Sequence, residues 1–428
     1  MAYMFNNCYK MKLQGPSTFN TNADNMEYMF NNCNEITSLT ISNLDTSRLT
    51  NMAYMFNNCA KLDQLYLSGL NTEFVENMKY TFNNCSSITS LDLSNFDTSL
   101  VTTMCSMFNG CQNLNLKSQF DTRNVENMEK MFKDCNKMTS LDTSKFNTAK
   151  VTTMSSMFNN CNSLQSLDLS NFVTSLVSKM DYMFNNCNSI TSLDVSHFDT
   201  ALITDMAYMF NNCQKLSSLD ISHFNTEKLT TMEKMFSNCN SLTSLDFSHF
   251  DTSEVTNMDS VFYSCSKISS LDLSNFITTK VNNMNSMFNS CGSLTSLDIS
   301  SFETSLITNM AYMFNNCLKL TSLDISSFRT NILTTMEKMF YNCKSLTSLD
   351  FTEFDTSEVT NMDSTFYSCS SLTSLDLSKF VTSKVKTMDN LFNSCSSLTS
   401  LDLSHFDTSL VTNMASMFYS CSKLNILD

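Results

Sequence analysis

The sequence predicts an α/β solenoid, a right-handed coil with one short parallel strand and one short helix in each 26-residue repeat, curved along its length. Three observations predict it. Seventeen of the eighteen cysteines form one column: Cys8, Cys33, Cys59, Cys85, Cys111, Cys135, then every 26 residues from Cys161 to Cys421. Each is preceded three residues earlier by Phe and seven residues earlier by Met, without exception. Between the cysteines, an apolar–polar alternation such as Leu401-Asp402-Leu403-Ser404 recurs in the same phase. A fixed period in this range marks a stack of identical supersecondary units. Residues 1–428 therefore read as a single solenoid of about 16 repeats, in place of the two or three domains that length alone suggests.

Residues 398–423 show the unit most clearly. Leu401-Asp402-Leu403-Ser404 has the period of two that marks a short strand with one face buried. Phe406 and Thr408 follow, and the Thr recurs in every complete linker from Thr21 to Thr408. A hydroxyl at one fixed turn position satisfies backbone groups of its own turn or the next. Met414, Met417, Phe418 and Cys421 then fall at i, i+3, i+4 and i+7, one stripe of a helix, with Thr412 or Asn413 placed to cap it. Parallel strands joined this way require crossovers, which are right-handed in nearly all proteins. Strands stack about 4.8 Å apart and helices about 8–10 Å, so this reading bends the array with the sheet inside.

Two repeats break the period, near 9–33 around Gly15-Pro16 and near 112–135, where Asn113-Leu114-Asn115-Leu116 loses part of the strand motif. A longer period lies over the first. Residues 197–300 and 301–404 match as four-repeat blocks, Ala207 to Cys213 returning as Ala311 to Cys317. That is the mark of block duplication.

Composition narrows the function. The 26 Lys and Arg against 41 Asp and Glu give a net charge of −15, which argues against nucleic acid and favours a cation or a basic partner. No signal peptide is visible, and no apolar run is long enough for membrane insertion. Neither a nucleotide loop, nor zinc spacing, nor a catalytic triad is present, so no enzyme is expected.

The repeated columns carry the remaining chemistry. Met and Cys together suit Cu(I), but both lie on the buried stripe, where Met fills irregular cores. Met258, Phe262, Cys265, Met310, Phe314 and Cys317 are accordingly read as core. Seventeen thiols cannot pair completely, so reduced, packed cysteines are preferred to a disulfide ladder. The four His (His197, His223, His249, His405) share one phase and read as tolerated substitutions. The strip formed by Asp168, Asp194, Asp220, Asp246, Asp272, Asp298, Asp324, Asp350, Asp376 and Asp402 is the candidate interaction site. Alternation points these carboxylates away from the core, between Ser columns. Stacked at strand spacing they repel one another unless a basic group or Ca²⁺ offsets them. The bland alternative is a solvated polar face.

The segment Phe351-Thr-Glu-Phe354-Asp-Thr356-Ser-Glu-Val359-Thr-Asn-Met362-Asp-Ser-Thr-Phe366-Tyr-Ser-Cys369 closely resembles the repeat of BspA-like leucine-rich repeat surface proteins of the Mycoplasma and Listeria type. The likeness extends over essentially the whole chain. It implies a leucine-rich-repeat-like solenoid, extracellular or on the cell surface, used for adhesion or other protein contact. The expected function is a structural or adhesive surface repeat protein, and the alternative is a protein or peptide receptor using its concave Ser/Asp face. The chain begins in the helix phase and stops at Leu427-Asp428 in the strand phase, so head-to-tail stacking of copies into a filament is a further expectation, beside contact with a host or cell-surface protein.

Overall fold

The computed structural model describes residues 1–12, 17–18, 22–42, 44–116 and 120–428. They form two compact units, Met1–Ile203 with Asn212–Leu216, and Thr204–Asn211 with Ser217–Asp428. In the first, β1 (Ser17–Thr18), β2 (Ser38–Ser42) and β3 (Gln64–Tyr66) make a three-stranded parallel sheet, β4 (Ser90–Leu91) pairs with β5 (Asn115–Leu116), and β6 (Ser192–Leu193) follows. In the second, β7 (Ser218–Leu219) precedes two parallel pairs, β8 (Ser270–Asp272) with β9 (Ser296–Asp298) and β10 (Ser400–Leu401) with β11 (Ile426–Leu427). Register stacks like on like: Ser270 faces Ser296, Leu271 faces Leu297 and Asp272 faces Asp298. A second parallel ladder runs through the residue before the Met seven positions ahead of each Cys, from Asn25 to Lys179 in one unit and from Asp205 to Asn283 and Asn309 to Asn413 in the other. Each unit is thus a parallel β-solenoid.

The expected helix is corrected. Among the described residues there is no α-helix, and the Met-to-Cys segment is a run of β-turns. In Met258–Cys265, Tyr263 N–H donates to the Ser260 carbonyl at 3.1 Å and Cys265 N–H to the Phe262 carbonyl at 3.1 Å. The alternate N–H groups leave the coil. Met258, Ser260, Phe262 and Ser264 donate to Asn283, Asn285, Met287 and Asn289 of the next coil at 2.9, 2.9, 3.0 and 2.7 Å. A helix would spend those donors internally, and helices pack about 8–10 Å apart, too far for a turn side whose own coils are hydrogen-bonded to one another at the spacing of a strand, about 4.8 Å. Turns on one side and strands on the other repeat at the same hydrogen-bond spacing, which removes the mismatch on which the expected bending rests.

The turns require left-handed backbone five residues and one residue before each Cys, as at Ser260 (φ 53°) and Ser264 (φ 58°). Such a conformation costs a non-glycine residue about 1–2 kcal/mol, and the bonds between coils offset it. At Gly110 (φ 75°) a Cβ would lie 2.2 Å from Asn84 Oδ1, so a side chain there would make the Asn84 amide turn aside. The expected helix cap has a different role as well. Asn413 Oδ1 accepts from Ala415 N–H at 3.0 Å, closing a turn.

The core runs between the two ladders. Met258, Phe262, Cys265, Met310, Phe314 and Cys317 are fully buried, and the same coils bury the inward strand residues Leu271 and Leu297, the linker rings Phe276 and Phe302, and Val281 and Ile307. Phe rings stack from coil to coil, Phe262 on Phe288 and Phe288 on Phe314, with centroids 5.7 Å apart in both pairs. The cysteines are free thiols. Each inner one donates back to the Phe carbonyl of the preceding coil, as Cys265 Sγ does to Phe236 at 3.1 Å. The linker Thr is buried and fastens neighbours: Thr252 Oγ1 donates to the Ile277 carbonyl at 2.9 Å and accepts from Ile277 N–H at 2.7 Å. Of the two irregular repeats, Gly15-Pro16 and Thr21 lie outside the described residues. The shortened one keeps its strand, Asn115 and Leu116 pairing with Ser90 and Leu91.

Candidate functional site: the Ser/Asp face

Strand alternation sends Ser outward, Leu inward and Asp outward in each coil, the burial pattern exposed–buried–exposed in both β8 and β9. All ten strip residues are exposed, Asp168 and Asp194 in the first unit, and Asp220, Asp246, Asp272, Asp298, Asp324, Asp350, Asp376 and Asp402 in the second. The structure gives each a task that alternation does not reveal. Asp272 Oδ1 accepts from Ser274 N–H at 3.1 Å and from Ser274 Oγ at 2.7 Å, turning the chain as it leaves the strand. The same Asx turn recurs at Asp194, Asp220, Asp298, Asp324 and Asp402, each on a Ser two residues later.

These bonds also favour the charged form. Asp272, Asp324 and Asp402 are held below the ordinary carboxylate value, first by the Ser hydroxyl and then by the Ser N–H. Neighbouring carboxylates push the other way, Asp194 on Asp168 and Asp220 on Asp246, yet both of the affected groups are still lowered. In these five carboxylates the Ser bonds thus outweigh the like charges beside them. In the second unit Ser270, Asp272, Ser296, Asp298, Ser322, Asp324, Ser348 and Asp350 line an open groove of about 760 Å³. Among the described residues no three His, Cys, Asp or Glu side chains converge as a metal site. His223 Nδ1 and His249 Nδ1 lie within hydrogen-bond distance of the adjacent Ser hydroxyls, at 3.0 and 2.9 Å.

Sequence reasoning missed two polar ladders on the turn side. The Asn two residues before Cys forms an amide chain: Asn57 Nδ2 donates to Asn31 Oδ1 at 2.6 Å and Asn109 to Asn83 at 2.6 Å. The Asn next to Cys does the same, Asn58 to Asn32 at 2.7 Å. The recurring Asn-Asn-Cys triplet was the available signal. Tyr3, Tyr28, Tyr54 and Tyr80 stack in a row with centroids 4.9, 4.4 and 4.7 Å apart. Burial, then the neighbouring phenols, push Tyr54 up to about 12.

Stacked coils of this build define a repeat solenoid whose buried columns hold matching side chains coil after coil. The chain belongs to the repeat family described as Mycoplasma protein of unknown function, DUF285, which matches residues 1–91, 76–193, 179–293, 268–349 and 347–427. It is also similar to solved bacterial structures. A leucine-rich repeat protein from Bacteroides ovatus is 18% identical, with 93% of this chain and 80% of that one covered and a TM-score of 0.36. One from Eubacterium ventriosum is 16% identical over 85% and 84%, TM-score 0.38. A leucine-rich cell surface protein from Faecalibacterium prausnitzii is 16% identical over 98% and 89%, TM-score 0.29. No curated protein matches the sequence.

Proposed function

We propose that this chain is a non-enzymatic repeat protein of a microbial surface that makes protein contacts through its Ser/Asp face. The observation that carries the reading is the open groove of the second unit, in which Asp and small Ser alternate along neighbouring coils. Such a surface suits an extended segment bearing Lys or Arg at alternate positions, because charge complementarity steers encounter and sets register. The net charge of −15 favours the same class of partner. The resemblance of the repeat to those of bacterial surface proteins supports the location. Among the described residues no helix is long and apolar enough to cross a membrane.

Replacing Asp272, Asp298 and Asp324 by Asn tests the reading, since an Asn Oδ1 still closes the turn while the charge is lost. Titration calorimetry with a Lys-rich peptide should show binding to the native protein that weakens by about tenfold or more in the triple variant. Equal binding by both, with the fold intact, would reject the groove as the contact surface. Repeating the titration with and without Ca²⁺, and following particle size as protein concentration rises, tests cation dependence and head-to-tail stacking.

A further inference from the structure

The linker between the inner Phe and the inner Val has three outward positions, the residue after the Phe and the two residues after the Thr. In the second unit the column of the second residue after the Thr reads Glu254, Lys280, Leu306, Ile332, Glu358, Lys384, one residue per coil. Two large aliphatic side chains thus stand in open solvent. Leu306 is 47% and Ile332 37% exposed, and Ile277 beside them is 45% exposed, although the inward columns of the same coils are fully buried. Ion pairs flank the patch on each side, Lys280 to Glu254 at 2.6 Å and Lys384 to Glu358 at 2.5 Å.

The order of this column is its own complement when reversed. Against a copy of itself running the other way, every Glu meets a Lys, every Lys a Glu, and each aliphatic residue the other. We propose that a second copy of this chain docks on this column, antiparallel and face to face, about a two-fold axis passing between the coils of Leu306 and Ile332. Leu306 then meets Ile332 of the second copy, Lys280 meets its Glu358, and Glu254 meets its Lys384. The outward column just after the Phe agrees only at the centre, where Glu303 falls opposite Arg329 of the second copy; farther out Ile277 meets Asp355 and Asp251 meets Val381. A two-fold axis makes each contact twice, as an isologous interface must. Parallel in-register docking would set Glu on Glu and Lys on Lys.

The match has limits that fix its place. Beyond these six positions Lys228 falls opposite Leu410, so the complementary run ends there. In the first unit the same column holds Leu100, Lys150, Leu176 and Leu202 but no Glu, and it has no self-complementary order. Six coils at about 4.8 Å span about 24 Å, a narrow strip compared with the roughly 800 Å² per partner of a standard interface. The association is therefore weak and depends on concentration. It uses neither the Ser/Asp face nor the ends of the chain, so it stands apart from the function proposed above.

Sedimentation velocity of the full chain over a concentration series tests it. The expected result is a reversible species of twice the 48.5 kDa chain mass, with no larger ones. Leu306→Arg should weaken it by about tenfold or more, and Lys280→Glu by a similar factor. The deciding variant combines Lys280→Glu with Glu358→Lys. Between copies this swap restores the opposite charges and the dimer. Within each chain it does the reverse, setting a second acid beside Glu254 and a second base beside Lys384. A double variant weaker than either single one overturns the proposal. So does a monomer at every concentration, or growth beyond the dimer that Leu306→Arg leaves unchanged. Circular dichroism of each variant, all at exposed positions, separates lost association from lost fold.

Discussion

The two sides of each coil are built on opposite plans. On the turn side alternate N–H groups donate to the next coil, as those of Met258, Ser260, Phe262 and Ser264 do, while the Met258, Val261, Phe262 and Cys265 side chains pack inward. On the strand side the strands are two to five residues long, and the residues that alternate outward are mostly Ser and Asp, with Gln64 and Tyr66 in β3 as exceptions. Backbone order is concentrated where the sequence suggests a helix, and exposed side-chain chemistry where it suggests a strand. The difference teaches that the stack is held by one side and decorated on the other, so outward columns can vary while the coil persists.

The largest test of this contrast is alkaline. Burial pushes the Cys187 and Cys291 thiols up to about 12 from an ordinary value of 9.0, and Cys265, Cys317 and Cys343 are raised well above it too. Below 9.0 both folded and unfolded chains keep these protons, and stability does not depend on them. Above it the unfolded chain ionises first, so stability should fall by about 1.4 kcal/mol per pH unit for each such thiol. Urea unfolding at rising pH should show a steep loss starting near that value. A flat profile would break the picture of a buried thiol spine.

A smaller effect separates the sides directly. Ser286 holds left-handed backbone (φ 55°) on the turn side, whereas Ser270 lies in extended β8. Ser286→Val should destabilise by about 1–3 kcal/mol, because a β-branched residue resists positive φ. Ser270→Val should stay within about 0.5 kcal/mol, since strands accept Val. Equal costs in thermal or urea melts would mean that the two sides do not differ in backbone strain.

The smallest effect is expected on the strand side in acid. Because Asp272 is held below its ordinary 3.8, its contribution is complete above that value and is lost as pH falls through the lower folded value. Asp272→Asn keeps the turn and should flatten this acid limb, while Asp272→Ala should lower stability at neutral pH as well. An acid limb unchanged in Asp272→Asn would detach the strip from stability.

Much of the fold could be read from residue spacing, and one element was misread for a physical reason. Met258, Phe262 and Cys265 point inward under either reading, because a run of β-turns and a helix share inward positions three and four residues apart. Only the destination of the N–H groups distinguishes them, and that depends on the neighbouring coil. Positive φ gave no warning, since Tyr54, Lys338, Ser260 and Asn390 occupy the left-handed position where glycine is the usual signal. The outward place of Asp272 followed from alternation, but its bond to Ser274 did not. The Asn57–Asn31 amide chain was likewise hidden, because its partners are 26 residues apart.

By itself the sequence determined the period, the inward columns and the parallel stacking. These follow from a repeat that buries its apolar face only against its own copy. The tertiary structure decided how each coil closes. The choice between helix and turns lies with hydrogen bonds between coils, because a turn side bonded to the next coil at strand spacing leaves helices no room to pack.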